Sequence, residues 1–327
     1  MFCATYFWGF AVKGSLKSMA LLYLKGLAMG AADVVPGVSG GTIAFITGIY
    51  SLLLESISAF TSKDTYKYLF SGNFSAFWQR INGSFVVVLL SGIATSIVLF
   101  ARVISYLLKA HPEMIWSFFF GLVLVSCFFV GREVSRWDWQ AIVSLIIGAI
   151  GAYFVTGMTP TILEPSLVMV FISGAIAICA MILPGISGSF ILLTMGMYGH
   201  IIGAIKDFDL LIITTFSAGN ALGILSFSRL LNWLLHRHGK ITLAFLTGLL
   251  IGSLNKVWPW KQTLSYRTNS HGEQVPFLQD NVWPSSYEAL SGSEAHLGAG
   301  LGLMAFGVLM VLLLSLLGSK YRFTHPE

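Results

Sequence analysis

The residue types that could do chemistry are concentrated in one short stretch that occurs twice. Residues 36–50 read PGVSGGTIAFITGIY and residues 184–198 read PGISGSFILLTMGMY. At an offset of 148, Pro36, Gly37, Ser39, Gly40, Ile43, Gly48 and Tyr50 fall on Pro184, Gly185, Ser187, Gly188, Ile191, Gly196 and Tyr198. In each copy Pro-Gly and Ser-Gly interrupt an apolar, uncharged run. Backbone groups freed inside a bilayer find no water, so they must be buried in protein or line a polar cavity. A helix restarting after Pro-Gly points unpaired N–H groups and a positive dipole end at whatever lies before it. Residues 37–42 and 185–190 therefore read as anion sites. Ser39, Thr42, Ser187 and Ser189 add hydroxyls, and Gly40, Gly41 and Gly188 let a ligand approach the backbone. The competing reading is helix packing, for which Gly and Ser are also enriched. Duplication together with proline favours a site, because interrupted segments at matching positions of two halves mark transport sites.

Few charges stand near these breaks. Arg102 and Arg229 match each other at an offset of 127. Each lies six residues from the end of its apolar run, about 9 Å by helical rise. A guanidinium fork suits phosphate, and an intramembrane arginine usually faces a partner or cavity; snorkelling to the head groups is the alternative. Lys25 either binds a phosphate or sits at the interface, and its counterpart is Ser173. Asp33 is the acid close to a break, with Met181 as its counterpart. It is a candidate for binding a coupling proton or cation, or else it caps the helix beyond Pro36. Glu55 and His200 are weaker candidates. His111 and His238 match across the halves and read as solvated loop residues, and the tryptophans read as interfacial anchors.

The elements that must position these residues are membrane helices. Of the 327 residues, 56% are hydrophobic and only 10% charged, far below the roughly 25% charge of soluble domains. The expected fold is an all-α polytopic membrane protein of two inverted-topology repeats. Residues 1–24 form an N-terminal interfacial segment. Repeat 1 covers 25–157, with a broken re-entrant hairpin at 25–57, a polar loop at 61–83 and spans at 84–108, 114–131 and 139–157. Repeat 2 covers 167–317, with a hairpin at 167–205 and spans at 210–235, 241–257 and 298–317. A polar outer loop occupies 258–297. An odd number of crossings separates the copies, which inverts them. Placing both termini inside puts Lys13, Lys17, Lys63, Lys67, Arg80, Arg132, Arg136, Arg237, Lys240, Lys320 and Arg322 in the cytoplasm. Lys109, Lys206, Lys256, Lys261 and Arg267 are then left outside, as the positive-inside rule favours. The net charge of +5 reflects this topology rather than nucleic-acid binding. Cys3, Cys127 and Cys179 form no disulfide or metal pattern, and no motif implies a metal or cofactor.

The doubled block, PGVSGGT at 36–42 and PGISGS at 184–189, each followed by Gly-x-Tyr, closely resembles the bacterial polyprenyl-phosphate transporter family. The similarity runs from about Lys25 to Leu317. It implies translocation of undecaprenyl phosphate, the C55 carrier lipid, from the outer to the inner leaflet of the bacterial cell membrane, for reuse in peptidoglycan and other envelope synthesis. The implied partners are that lipid and the surrounding membrane lipids, with proton or sodium coupling and homo-oligomerisation left open. The expected head-group shell is Ser39, Gly40, Gly41, Thr42, Ser187, Gly188, Ser189, Arg102 and Arg229, with Lys25 beside it and Asp33 as the coupling candidate. The tail would stay in lipid, trailing through a side opening between the repeats. An integral-membrane polyprenyl-pyrophosphate phosphatase is the enzymatic alternative. It is disfavoured because Gly40 and Gly188, not arginine, follow the serines and no second carboxylate is available for a metal. A small-anion channel or exporter is the other alternative.

Overall fold

The structure is a computed structural model, and it describes residues 16–35, 38–158, 165–268 and 274–319. Pro36, Gly37, Lys13, Lys320, Arg322 and most of the proposed interfacial segment lie outside these residues. The described chain opens with α1 (Leu16–Asp33), α2 (Gly40–Ile46) and α3 (Tyr50–Ala59). The second half opens the same way, with α9 (Leu167–Ile182), α10 (Gly188–Thr194) and α11 (Tyr198–Lys206). Each copy is thus broken twice, once at the proline and once more between its two shorter helices. That second break bends the chain by 116° in the first copy and 107° in the second.

The repeated Gly-x-Tyr accounts for this bend. Gly48 has φ +72° and Gly196 φ +71°, a left-handed conformation that costs glycine nothing. The following N–H reaches back five residues, Ile49 to the Ala44 carbonyl and Met197 to the Leu192 carbonyl, at 3.0 and 2.9 Å. The glycine N–H reaches back three, to Phe45 and Leu193, at 3.0 Å in both. This is a Schellman stop. Tyr50 and Tyr198 then start the next helix.

Between the two copies run α4 (Lys63–Phe70), α5 (Phe74–Arg80), α6 (Gly83–Ala110), α7 (Pro112–Arg132) and α8 (Trp139–Gly157). The expected polar loop at 61–83 is therefore two short helices, each capped or started by a local polar residue. After α11 comes α12 (Leu210–Ser253), 44 residues interrupted at His238, whose φ of −132° and ψ of 39° are not helical. A straight helix of that length would be about 66 Å long, twice the hydrocarbon core. It is instead sharply bent. Thr242 Oγ1 donates both to the His238 carbonyl, at 3.0 Å, and to the Leu234 carbonyl, eight residues back, at 3.2 Å. His238 is thus an exposed residue at a bend between two apolar arms rather than in a loop. Among the described residues four helices are long and apolar enough to cross a membrane, or up to six if each bent pair counts as a span. The protein is a mostly helical, multi-pass membrane protein.

Residues 258–297 are not a plain loop. They form β1 (Lys261–Thr268), β2 (Gln274–Asn281) and α13 (Pro284–Ser291), before α14 (Leu297–Ser319) closes the described chain. The strands pair antiparallel, Lys261 opposite Asn281 and Thr268 opposite Gln274. This two-stranded hairpin is the one sheet among the described residues of an otherwise helical fold. Two tryptophans tie this hairpin down. Trp258 Nε1 donates to the Val282 carbonyl and Trp260 Nε1 to the Ala295 carbonyl, each at 2.9 Å. Trp260 is buried, so it is a structural bolt rather than an interfacial anchor, whereas Trp283 stays exposed.

The halves are interlocked through glycines. Gly121 on α7 lies against the Met304 carbonyl of α14, and Gly307 on α14 against the Phe118 carbonyl of α7. The matching set lies at the other pair: Gly248 on α12 meets the Leu145 carbonyl of α8, and Gly148 on α8 meets the Phe245 carbonyl of α12. In all four places a Cβ would collide with backbone. The last helix of each half thus packs on the middle helix of the other. Such close approach replaces the hydrophobic drive that helices lack in lipid.

Candidate functional site

The two broken segments meet. Ser39 Oγ donates to the Met181 carbonyl at 2.9 Å, and Tyr50 OH donates to the Ile182 carbonyl at 3.1 Å. Gly185 N–H donates to Thr42 Oγ1 at 3.1 Å. Gly41 presses on the same carbonyls: a Cβ there would stand 2.6 Å from the Ile182 oxygen. Met181 and Ile182 are the end of α9, where the chain leaves its helix and the last carbonyls lack partners of their own. The side chains of one copy satisfy the broken backbone of the other. Ser39, Thr42, Tyr50 and Ser187 are all buried. Each such bond contributes about 1 kcal/mol net. Met181, whose carbonyl accepts from Ser39, leaves 38% of its surface exposed, which puts one edge of the tip contact at the protein's outer surface.

The two helix starts differ. At the first, Asp33 Oδ1 accepts the Gly40 N–H at 2.7 Å. Ser39 Oγ accepts the Gly41 N–H at 3.1 Å. The chain's own carboxylate occupies the anion position of α2, and a Cβ on Gly40 would stand 2.5 Å from that carboxylate. Capping, one of the two readings of Asp33, is the geometry found. At the second start Met181 replaces Asp33. Ser187 makes no side-chain cap; its hydroxyl instead pairs with that of Ser189 at 2.9 Å. Gly188 packs within its own half, with the Ala177 carbonyl 2.6 Å from its Cβ position.

The remaining expected shell residues lie elsewhere. Lys25 is buried, not interfacial, and its Nζ donates to the Thr47 carbonyl at 2.7 Å. It closes the C-terminal end of α2 at the Schellman bend, where a cation suits the helix dipole. Arg102 is exposed on α6. Arg229 is exposed on α12, in a groove of about 670 Å³ with Thr61, Leu222, Leu225, Ser226, Leu230 and Trp233. The structure brings Ser39, Gly41 and Thr42 into contact with the second break. It does not bring the two arginines to them.

A cation that the sequence assigns only to the outer side stands near the second break instead. Ser253, the last residue of α12, backs the second break, its Oγ 2.9 Å from the Cβ position of Gly185. One turn later Lys256 places its Nζ 4.5 Å from the ring centre of Phe190 on α10. Lys261 Nζ lies 3.7 Å from the Trp116 ring centre and donates to the Lys256 carbonyl at 2.6 Å. Burial lowers the pKa of Lys256. Burial, and then the neighbouring Lys256 charge, pushes Lys261 well below the usual lysine range. One sequence signal marks Lys256: at the offset of 127 it falls on Phe129, so it breaks the internal symmetry as Asp33 does.

Comparison with known proteins gives a family and two named relatives. A family model described as VCA0040-like, undecaprenyl phosphate translocase-like, matches residues 29–275. A polyprenyl-phosphate transporter of Vibrio cholerae serotype O1 is 53% identical over 299 residues, 91% of this chain and 97% of its own length. A polyprenyl-phosphate transporter of Staphylococcus aureus is 32% identical over 257 residues, 72% of this chain and 85% of its own. No solved structure gives a significant match.

Proposed function

The chain belongs to the VCA0040-like family of undecaprenyl phosphate translocase-like proteins, and from that premise we propose how it moves a polyprenyl phosphate across its membrane. The cargo is undecaprenyl phosphate, carried from the outer to the inner leaflet of the bacterial cell membrane and so returned to envelope synthesis. The observation that carries the mechanism is the bonding between the two tips. Ser39 and Thr42 of one copy hold the Met181 carbonyl and Gly185 N–H of the other. Donors and acceptors that satisfy broken backbone in the closed arrangement become free when the tips part. Hydroxyls and N–H groups released together replace the hydration of a phosphate that enters between them.

Only the head group needs this shelter. The tail stays in lipid and leaves the site by the edge that Met181 exposes. The two halves are inverted repeats, and alternating access comes from rocking one against the other, across the exchanged pairings of α7 with α14 and α8 with α12. Asp33 caps α2, and it is also the carboxylate through which a proton or sodium gradient would bias the tips. Arg102 and Arg229, exposed on the protein surface, gather anionic head groups rather than bind them at the join.

The test is reconstitution in vesicles containing undecaprenyl phosphate. An impermeant phosphatase added outside removes only outer-leaflet phosphate. With the wild-type protein the whole lipid pool should become accessible; with Ser39→Ala plus Thr42→Val only the outer leaflet should. Release of inorganic phosphate from undecaprenyl pyrophosphate by the protein itself would favour the phosphatase alternative. Flux of inorganic phosphate or chloride without lipid movement would favour the channel.

A further inference from the structure

Lys256 and Lys261 bring two lysine side chains together beside α10 and the Trp116 ring. Among the described residues neither ammonium has a carboxylate in ion-pair contact. Lys261 is only 9% exposed and spends its charge on the Trp116 ring and the Lys256 carbonyl. Lys256 has the Phe190 ring and, among the described residues, no hydrogen-bond acceptor. A ring face orients an ammonium without neutralising it. A desolvated ammonium without a counter-charge either gives up its proton or is held charged by an arriving anion.

The surroundings say what kind of anion. Phe190 directly follows Ser189, whose hydroxyl pairs with that of Ser187. In a pair of hydroxyls one proton is spent between them and the other remains to be donated. At the first tip the equivalent anion is built in, as Asp33; at the second the chain offers Met181 and leaves the place to something external. Lys256 is the side chain on the α10 side of the pair, at the Phe190 ring, while Lys261 holds the Lys256 carbonyl. The edge left exposed at Met181 gives an anion there room to carry an apolar tail.

We propose that Lys256, with Lys261 holding its backbone in place, is the residue that receives the phosphomonoester head group of a lipid at the second tip. This rests on the translocase reading above and adds to it the side chain that meets the charge.

The test titrates full-length protein in detergent with farnesyl phosphate, and separately with inorganic phosphate, following the fluorescence of the nearby tryptophans. Saturable change with farnesyl phosphate is expected. Lys256→Gln should raise its midpoint about tenfold or more, the weight of one charge-assisted hydrogen bond, and Lys256→Arg should restore most of the affinity. An unchanged midpoint in Lys256→Gln would overturn the proposal. Equal midpoints for farnesyl phosphate and inorganic phosphate would overturn the lipid assignment. If Lys256→Gln does not fold, the wild-type protein decides: farnesyl phosphate should protect Lys256 from an amine-acylating reagent, read by mass spectrometry, and absence of protection refutes the role. Vesicles separate this inference from its premise. Wild-type protein that moves no lipid sinks the translocase reading, whereas a Lys256→Gln protein that moves lipid with wild-type dependence on its concentration sinks only the lysine.

Discussion

Thr42 Oγ1 accepts the backbone N–H of Gly185 at 3.1 Å, although the two residues lie 143 positions apart. Both are buried. Thr42→Val keeps the shape and removes the acceptor, so the Gly185 N–H is left without a partner. That change is expected to lower stability by about 1–3 kcal/mol, read as a lower thermal midpoint in detergent. Thr42→Ser should restore it. Equal midpoints for the threonine and valine proteins would show that the join at this point contributes nothing.

Asp33 allows capping and coupling to be told apart. Asp33→Asn keeps an oxygen to accept the Gly40 N–H, and Asp33→Ala does not. Loss of a side-chain cap costs about 0.5–2 kcal/mol, so the alanine protein should be less stable and the asparagine protein close to wild type. If a proton or sodium ion acts through this carboxylate, Asp33→Asn should retain lipid movement down its own gradient and lose acceleration by an imposed ion gradient. Identical acceleration in Asp33→Asn and wild type would confine Asp33 to capping.

How much of this was legible in the sequence depends on the range of the interaction. The helix over Trp139–Gly157 is announced locally, by an apolar run starting at Asp138, whose side chain accepts the Ala141 N–H at 3.1 Å. The two breaks were visible because proline and glycine act on their own backbone. The role of Gly48 and Gly196 was present in the repeated Gly-x-Tyr, yet a left-handed stop was not read from it. The hairpin at Lys261–Asn281 was missed because its strands are polar, contain Pro276 and carry register shifts near Ser265, which blurs alternation. The exchange of α8 and α14 between halves was beyond local reading. Gly121 and Gly248 stand in apolar runs, but a glycine does not name the carbonyl it will touch. Arg102 and Arg229 were grouped with the tips on chemical suitability alone, and their exposed positions follow from helix faces that a matching offset does not fix.

Those exposed positions lead to a kinetic expectation. Arginines exposed on the protein surface affect how readily anionic head groups gather near the protein, an effect screened by salt. Arg102→Ala and Arg229→Ala should each raise the lipid concentration for half-maximal transport and leave the maximal rate within about twofold, as expected when binding common to ground and transition states is removed. The shift should shrink at high ionic strength. A collapse of the maximal rate with folding intact would return the arginines to the head-group shell.

Acid stability should depend on Asp138, which joins the end of the α7–α8 connection to the far arm of α12. Its carboxylate accepts from the Lys240 ammonium and from the Ala141 N–H. The Lys240 hydrogen bond, first, and the Ala141 N–H, second, hold the Asp138 pKa below the usual carboxylate value. A carboxylate with a depressed folded-state pKa binds fewer protons folded than unfolded in the window between the two values, so stability falls as pH falls through that window. The contribution is therefore complete above about pH 4, the unperturbed aspartate value, and disappears below it. Both side chains remain partly in water, 26% for Lys240 and 30% for Asp138, so the effect is modest. In detergent, wild-type protein should lose more thermal stability between pH 5 and pH 3 than Asp138→Asn, which cannot take up the proton. The two should differ most above that range, where the ion pair is intact, and converge as acid removes it. Parallel pH profiles would mean that the contact between Asp138 and Lys240 does not hold the α8 start to α12 in the folded protein.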